Sequence, residues 1–165
     1  MTVRRKPDTT TRHGPAEVGH YDASTYDSTY VVSAFRRTYT DDMSKVVAII
    51  GASSDRRKFG NRAVRAFRQQ GYRVVPINPH EAEVEGLKAY ASVLDVPGPI
   101  DMASVYVPPE VGVRVIEEIA RKQIPEVWLN PGAESDALIA RARALKIQPI
   151  VACSIVAIGQ NPYAL

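Results

Sequence analysis

The stretch GASSDRRKFGN, Gly51 to Asn61, follows the apolar run KVVAII and leads into RAVRAFRQQG. Its residue types suit an anion. Gly51 can turn the chain sharply, and Gly60 lets a ligand or another strand come close. Ser53 and Ser54 offer hydroxyls beside backbone N–H groups. The helix that follows aims its positive end at the same space. Arg56, Arg57, Lys58 and Arg62 add charge. A pyrophosphate is the group this set suits. The competing reading is an ordinary solvated strand-to-helix loop.

Two familiar phosphate motifs are absent. The dinucleotide fingerprint needs G-x-G-x-x-G, but Ser53 stands two residues after Gly51 and the next glycine is Gly60. The P-loop pattern is missing too. In NAD sites an Asp or Glu usually follows the second strand and bonds the ribose hydroxyls. Here INPHE supplies Asn78, Pro79 and His80. An amide bonds ribose without repelling a phosphate on the sugar, which leans toward NADP or coenzyme A. Asn78-Pro79 also reads as a plain turn signal.

Further along, VYVPPEVG sets Val107, Pro108 and Pro109 as a rigid apolar lip against which a flat base could lie. WLNPGAES places Asn130, Pro131 and Gly132 in a turn, and Cys153 follows the last apolar run. A buried cysteine usually acts as a small inert hydrophobe; a thiol role is the alternative. No catalytic set assembles. His13, His20 and His80 pair with no nucleophile or carboxylate at a telling spacing, and no metal-ligand set is expected. Glu117 and Glu118 read as a solvated helix face.

The elements that must position these residues alternate. Strands are predicted over 46–50, 72–78, 101–107, 126–130 and 148–153. Helices are predicted over 61–70, 109–123 and 134–146, stopped by Gly71, opened by Pro109, and capped by Ser135 or Glu134 respectively. A turn and a short helix around YASVLDV follow the second strand. This alternation means right-handed βαβ units. The expected fold class is α/β: an open, doubly wound, mostly parallel five-stranded sheet with helices on both faces. Ligands of such sheets bind outside the carboxyl ends of the strands at the topological switch point, so the residues just after each strand, among them Gly51, Asn78, Val107 and Asn130, are the ones that matter. The domain is expected over residues 45–165. Residues 1–44, rich in Thr, Ser, Asp, Gly and Tyr, are expected to be a largely disordered extension.

Composition bounds the rest. At 165 residues, 45% hydrophobic and 24% charged, the chain suits one globular domain plus an extension. The net charge of +3 permits an anionic ligand without announcing nucleic acid, and no nucleic-acid partner is expected. No apolar run approaches the roughly 20 residues of a membrane span, and the N-terminus lacks the apolar stretch of a secretory signal. The single cysteine, Cys153, suits a reducing compartment, so a cytoplasmic location is expected.

Taken in order, VVAIIGASSDRRKFGNRAVRAFRQQGYRVVPINP, GLKAYASVLDVPGPID, VYVPPEVG, VWLNPGAESD and ACSIVAIG resemble the small stand-alone CoA-binding proteins. That family's fold is similar to the N-terminal domain of the succinyl-CoA synthetase alpha subunit. The resemblance covers about residues 44 to 160 and implies a Rossmann-like fold that binds coenzyme A in an extended pose. By position it implies that Gly51, Ala52, Ser53 and Ser54 hold the pyrophosphate and that Lys58 meets phosphate. Asn78 and Pro79 would lie near the ribose and its 3′-phosphate. Tyr106, Val107 and Pro108 match a YVP stretch that borders CoA in the synthetase, and Asn130 to Gly132 would face the pantetheine arm. Cys153 matches a cysteine of the synthetase, in a different neighbourhood. The synthetase has a lysine after its second strand where this chain offers His80, with Arg56 or Arg57 as replacements. The resemblance does not extend to the synthetase's phosphohistidine domain or to an ATP-grasp domain.

The expected function is therefore binding of coenzyme A or an acyl-CoA, without catalysis of its own. Alternatives are an NAD(P)-responsive regulatory domain and the CoA-handling subunit of an acyl-CoA ligase. A protein partner or a homo-oligomer is compatible with each.

Overall fold

The computed structural model describes residues 44–165; the expected extension lies outside the described residues but for Ser44. In chain order the elements are β1 (Val46–Ile50), α1 (Phe59–Gln69), β2 (Arg73–Ile77), β3 (Glu83–Val84), β4 (Leu87–Lys88), a 3-10 turn (Val93–Asp95), β5 (Met102–Val105), α2 (Pro109–Lys122), β6 (Glu126–Leu129), α3 (Asp136–Ala144), β7 (Ile150–Val151) and α4 (Ser154–Ala157).

β1 shows why its run is uninterruptedly apolar. Val47 and Ile49 enter the core on one face, and Ala48 and Ile50 enter the core on the other. A strand covered on both faces has no polar side to show. It pairs in parallel with β2, Val46 opposite Arg73, and on its other flank with β5, Val47 opposite Met102. β6 and β7 continue the sheet, giving the all-parallel order β2-β1-β5-β6-β7. The expected five-stranded doubly wound sheet is what the chain forms.

The order reverses between β1 and β5. Right-handed crossovers then send the helices before and after the reversal to opposite faces. α1 covers one face with Ala63, Val64 and Phe67 against Val47, Ile49 and Val74, and Ile155 of α4 joins that layer. Phe67 meets Tyr72 edge to face at 5.0 Å. α2 and α3 cover the other face with Ile116, Ile119 and Leu138 against Ala48, Ile50, Val105 and Leu129. The ends follow the local chemistry. Gly71 takes a positive φ just past α1, Pro109 sits in the first turn of α2, and the Ser135 side chain accepts from the Leu138 amide at 3.2 Å.

Three elements differ from expectation. The second crossover contains the hairpin β3–β4, whose two linking residues, Glu85 and Gly86, both have positive φ (50° and 76°). That is type I′ turn geometry, usually announced by Asn-Gly or Asp-Gly; Glu-Gly hides it. The last strand is two residues long, not six. Pro149 cannot donate to a ladder, and Cys153 already caps the short α4. β5 ends at Val105, although the Tyr106 amide still donates to the Ile50 carbonyl at 2.8 Å.

Phe67 is fully buried. Phe67→Ala should cost about 3–5 kcal/mol of unfolding free energy in urea denaturation.

Candidate functional site

The amino end of α1 presses against the carboxyl end of β1. A Cβ at Gly60 would lie 2.1 Å from the Gly51 carbonyl oxygen, so only glycine allows the contact. Gly51 itself has φ +88, and a Cβ there would come within 3.0 Å of Val107. The two glycines of the loop thus bring β1, α1 and the segment after β5 together at the switch point.

Two asparagines brace the loop between them. Asn78 donates through Nδ2 to the Ala52 carbonyl at 2.7 Å, while its Oδ1 accepts from the His80 amide at 2.8 Å. Asn61, fully buried, donates through Nδ2 to the Ser53 carbonyl at 2.8 Å, and its Oδ1 accepts from Arg65 at 2.9 Å. A third group lies across the loop. The Glu81 carboxylate accepts from Ser53 Oγ at 3.1 Å and from the Ser54 amide at 2.7 Å. Burial pulls the Glu81 carboxyl upward, but the hydrogen bonds from Ser54 and Ser53 outweigh it and the net shift is down.

The basic residues of the loop divide sharply. Arg57 is bound through two nitrogens to Asp55, each at 3.0 Å, and those hydrogen bonds hold the Asp55 carboxyl at about 2. Arg56 pairs with Glu85 at 3.4 Å. Arg62 donates to the Pro162 carbonyl at 3.1 Å and lies over the Phe59 ring. Lys58 has no acidic partner among the described residues.

Two clefts open on this edge. The larger, about 490 Å³, runs between the segment after β2 and the flank of α2; Asn78, Pro79, Val111 and Arg114 line it. The smaller, about 380 Å³, lies between the start of α1 and the turn after β6; Lys58, Gly60, Pro108 and Gly132 line it. Gly51 and Val107 belong to both. The clefts therefore meet at the switch point and can be crossed by one elongated ligand.

Several anticipated residues take other places. Asn130 is 1% exposed and its amide is spent inside: Nδ2 donates to Ser104 Oγ at 2.9 Å and to the Val105 carbonyl at 3.0 Å, and Oδ1 accepts from the Ser154 amide at 2.9 Å. It ties β5, β6 and α4 together, so the expectation that it faces the ligand is corrected. Gly132 and the neighbouring Pro131 do line the smaller cleft. Ala52 is fully buried, and the Ser53 hydroxyl and Ser54 amide are turned to Glu81. Tyr106 borders the smaller cleft while its hydroxyl joins Ser154 Oγ at 3.0 Å. Burial pushes that phenol up to about 12, so it stays neutral. Cys153 packs beside the α1 layer and lines neither cleft. Glu117 pairs with Arg141 at 2.6 Å, and Glu118 accepts from the Ser92 hydroxyl.

Sequence reasoning passed over Glu81 and Arg114. Val111, Arg114, Val115 and Glu118 recur at i, i+3, i+4 and i+7, one face of α2, and all four line the larger cleft. Glu81 carried no periodic signal.

The fold is a doubly wound parallel sheet, and two clefts that share Gly51 and Val107 open at the carboxyl edge of its strands. Residues 45–159 match the family described as the CoA binding domain, and the chain belongs to that family. It is similar to the alpha subunit of the ADP-forming acetate–CoA ligase II of Pyrococcus furiosus, 38% identical over 82 residues, which are 49% of this chain and 18% of that subunit. It is also similar to the ADP-forming acetate–CoA ligase of Methanocaldococcus jannaschii, 41% identical over 80 residues, 48% of this chain and 11% of the ligase. The chain thus spans less than a fifth of the length of either ligase. Among solved structures, a conserved hypothetical protein from Pyrococcus furiosus matches with a TM-score of 0.63 at 31% identity, covering 69% of this chain and 98% of that one.

Two outcomes are expected. Gly60→Ala should lower stability by roughly 1–3 kcal/mol or more, because backbone must move to admit the methyl; chemical denaturation measures it. Tyr106 has a folded-state value raised above the ordinary 10.0, so its stabilising share is whole below pH 10 and is lost as pH rises toward 12. Tyr106→Phe should flatten that alkaline fall in a plot of melting temperature against pH.

Proposed function

We propose that the chain binds coenzyme A or an acyl-CoA along the carboxyl edge of its sheet, and that it does so without catalysis of its own. The adenosine end takes the larger cleft, its base against Val107 and Val111 and its phosphorylated ribose toward Arg114 and His80. The pyrophosphate crosses the glycine–serine loop near Lys58. The pantetheine arm leaves through the smaller cleft along Pro131 and Gly132.

One observation carries this reading: the two clefts share Gly51 and Val107, and each holds a cation without an acidic partner among the described residues, Arg114 in the larger and Lys58 in the smaller. An extended ligand with anionic groups at two points along its length fits that spacing of charge. The family match supports coenzyme A as that ligand. Among the described residues no cluster of His, Cys, Asp or Glu is arranged to hold a metal ion, and Asp55, Glu81, Glu85 and Glu118 are engaged by Arg57, by Ser53 and Ser54, by Arg56 and by Ser92 respectively.

A second reading is favoured by the two ADP-forming ligase relatives named above. In it this chain presents coenzyme A to a separate nucleotide-handling protein. Turnover of acyl-CoA with ADP and phosphate that appears only when a copurifying partner is added would select it.

Calorimetric titration with CoA, dephospho-CoA, NAD and NADP tests the first reading. CoA should bind best, and at about 100 times its Kd it should raise stability by roughly 2.7 kcal/mol. Lys58→Glu should weaken CoA about tenfold, since the contact is charge-assisted but solvent-exposed. Arg114→Gln should weaken CoA while leaving dephospho-CoA unchanged, erasing the preference between them. Preference for NAD or NADP over CoA would overturn the reading.

A further inference from the structure

The loop that the coenzyme reading assigns to a pyrophosphate already holds an anion, and the anion belongs to the chain. Glu81, three residues beyond Asn78, lays one carboxylate oxygen on the Ser53 hydroxyl at 3.1 Å and the other on the Ser54 amide at 2.7 Å. These are two donors of the kind that a phosphate oxygen would use. A carboxylate and a phosphate cannot share them, because like charges at contact distance repel strongly in a partly dehydrated site.

Glu81 is not needed to shape the loop. The Ala52 carbonyl is held by Asn78 and the Ser53 carbonyl by Asn61, at 2.7 and 2.8 Å. The Gly51 amide is held by the Ile77 carbonyl at 3.0 Å, and the Gly51–Gly60 contact fixes the entry to α1. All four constraints are independent of residue 81. The carboxylate occupies two donors of the loop, the hydroxyl of the buried Ser53 and the Ser54 amide. It sits on the segment after β2, outside any strand or helix, and no salt bridge holds it among the described residues. A group so placed can swing away at the expense of two hydrogen bonds.

We propose that Glu81 is a displaceable internal anion that selects what enters the loop: the pyrophosphate of the ligand gains Ser53 and Ser54 only as the Glu81 carboxylate leaves them. The proposal rests on the coenzyme reading above and deepens it. A lone weak anion, such as a carboxylate metabolite or a single phosphate, has to compete with a tethered carboxylate at very high local concentration. A pyrophosphate that is also anchored by an adenosine on one side and a pantetheine arm on the other brings enough additional contact to win. Glu81 thereby sets specificity by excluding small anions, at the expense of some affinity for the ligand it admits.

The experiment is calorimetric titration of the full chain and of the Glu81→Gln and Glu81→Ala variants with CoA, inorganic pyrophosphate and pantetheine. Both variants should melt close to the parent, since Asn61 and Asn78 still hold the loop. CoA and pyrophosphate should each bind about tenfold tighter to the variants, while pantetheine, which carries no phosphate at that point, should be unaffected. Equal or weaker CoA binding by the variants, with the parent chain binding CoA normally, would overturn the proposal and leave the coenzyme reading standing. So would a gain for pantetheine as large as that for CoA, or collapse of both variants on melting, which would make Glu81 a strut. Failure of all three chains to bind CoA would overturn the coenzyme reading and this proposal with it.

Discussion

Two glycines touching fix the geometry of everything at the working edge of this protein. With the Gly51 carbonyl packed where a Cβ of residue 60 would be, the amino end of α1 can lie directly over the end of β1. The eight residues between the two glycines, Ala52 to Phe59, must then close a tight circuit. They do so by folding their own polar groups onto Asn61 and Asn78, one on the helix and one beyond the neighbouring strand. The loop is therefore a braced structure with little freedom of its own. Its rigidity follows from backbone contact and two amides, while the charged residues decorate it.

Two of the loop's arginines are ion-paired and the others are tethered to neutral oxygens. Asp55 and Glu85 take Arg57 and Arg56, and Arg65 and Arg68 are bound to backbone or side-chain oxygens. A count of basic residues in the sequence overstates the positive field, because exposed pairs of this kind cancel at a distance and contribute little stability. Lys58 and, across the edge, Arg114 line the clefts without an acidic partner among the described residues. Behind them the uncharged cluster of Ser104, Asn130, Ser154 and Tyr106 pins α4 to the sheet. A buried polar cluster rigidifies when every member is satisfied, and Asn130 illustrates it with donors and acceptor all engaged.

The sheet was legible because its strands are continuous apolar runs separated by helices with plain start and stop residues. β1, β2, β5 and β6 were placed to within two residues at each end. What escaped was set by contacts distant in sequence. The β3–β4 hairpin turns through a Glu-Gly pair, which carries no strong turn signal of its own. Asn130 stands beside a proline and a glycine like any loop asparagine, and only the approach of Ser154, 24 residues later, draws it inside. The stripe on α2 was visible as helical spacing, yet spacing alone cannot say that a helix leans over a cleft and not over the core. Glu81 lay in a segment without periodicity, and its contact with Ser53 spans 28 residues.

The two outermost strands have a joint consequence. β2 carries Pro76, and its free side is already engaged, since the Tyr90 amide donates to the Pro76 carbonyl at 3.0 Å and the Asn78 amide to the Tyr90 carbonyl at 2.9 Å. β7 at the other margin is two residues long and follows Pro149. Neither margin presents a run of unpaired amides long enough to template another strand. Among the described residues, both margins of the sheet are therefore poor templates for a further strand, which disfavours joining two molecules by edge-to-edge extension of the sheet.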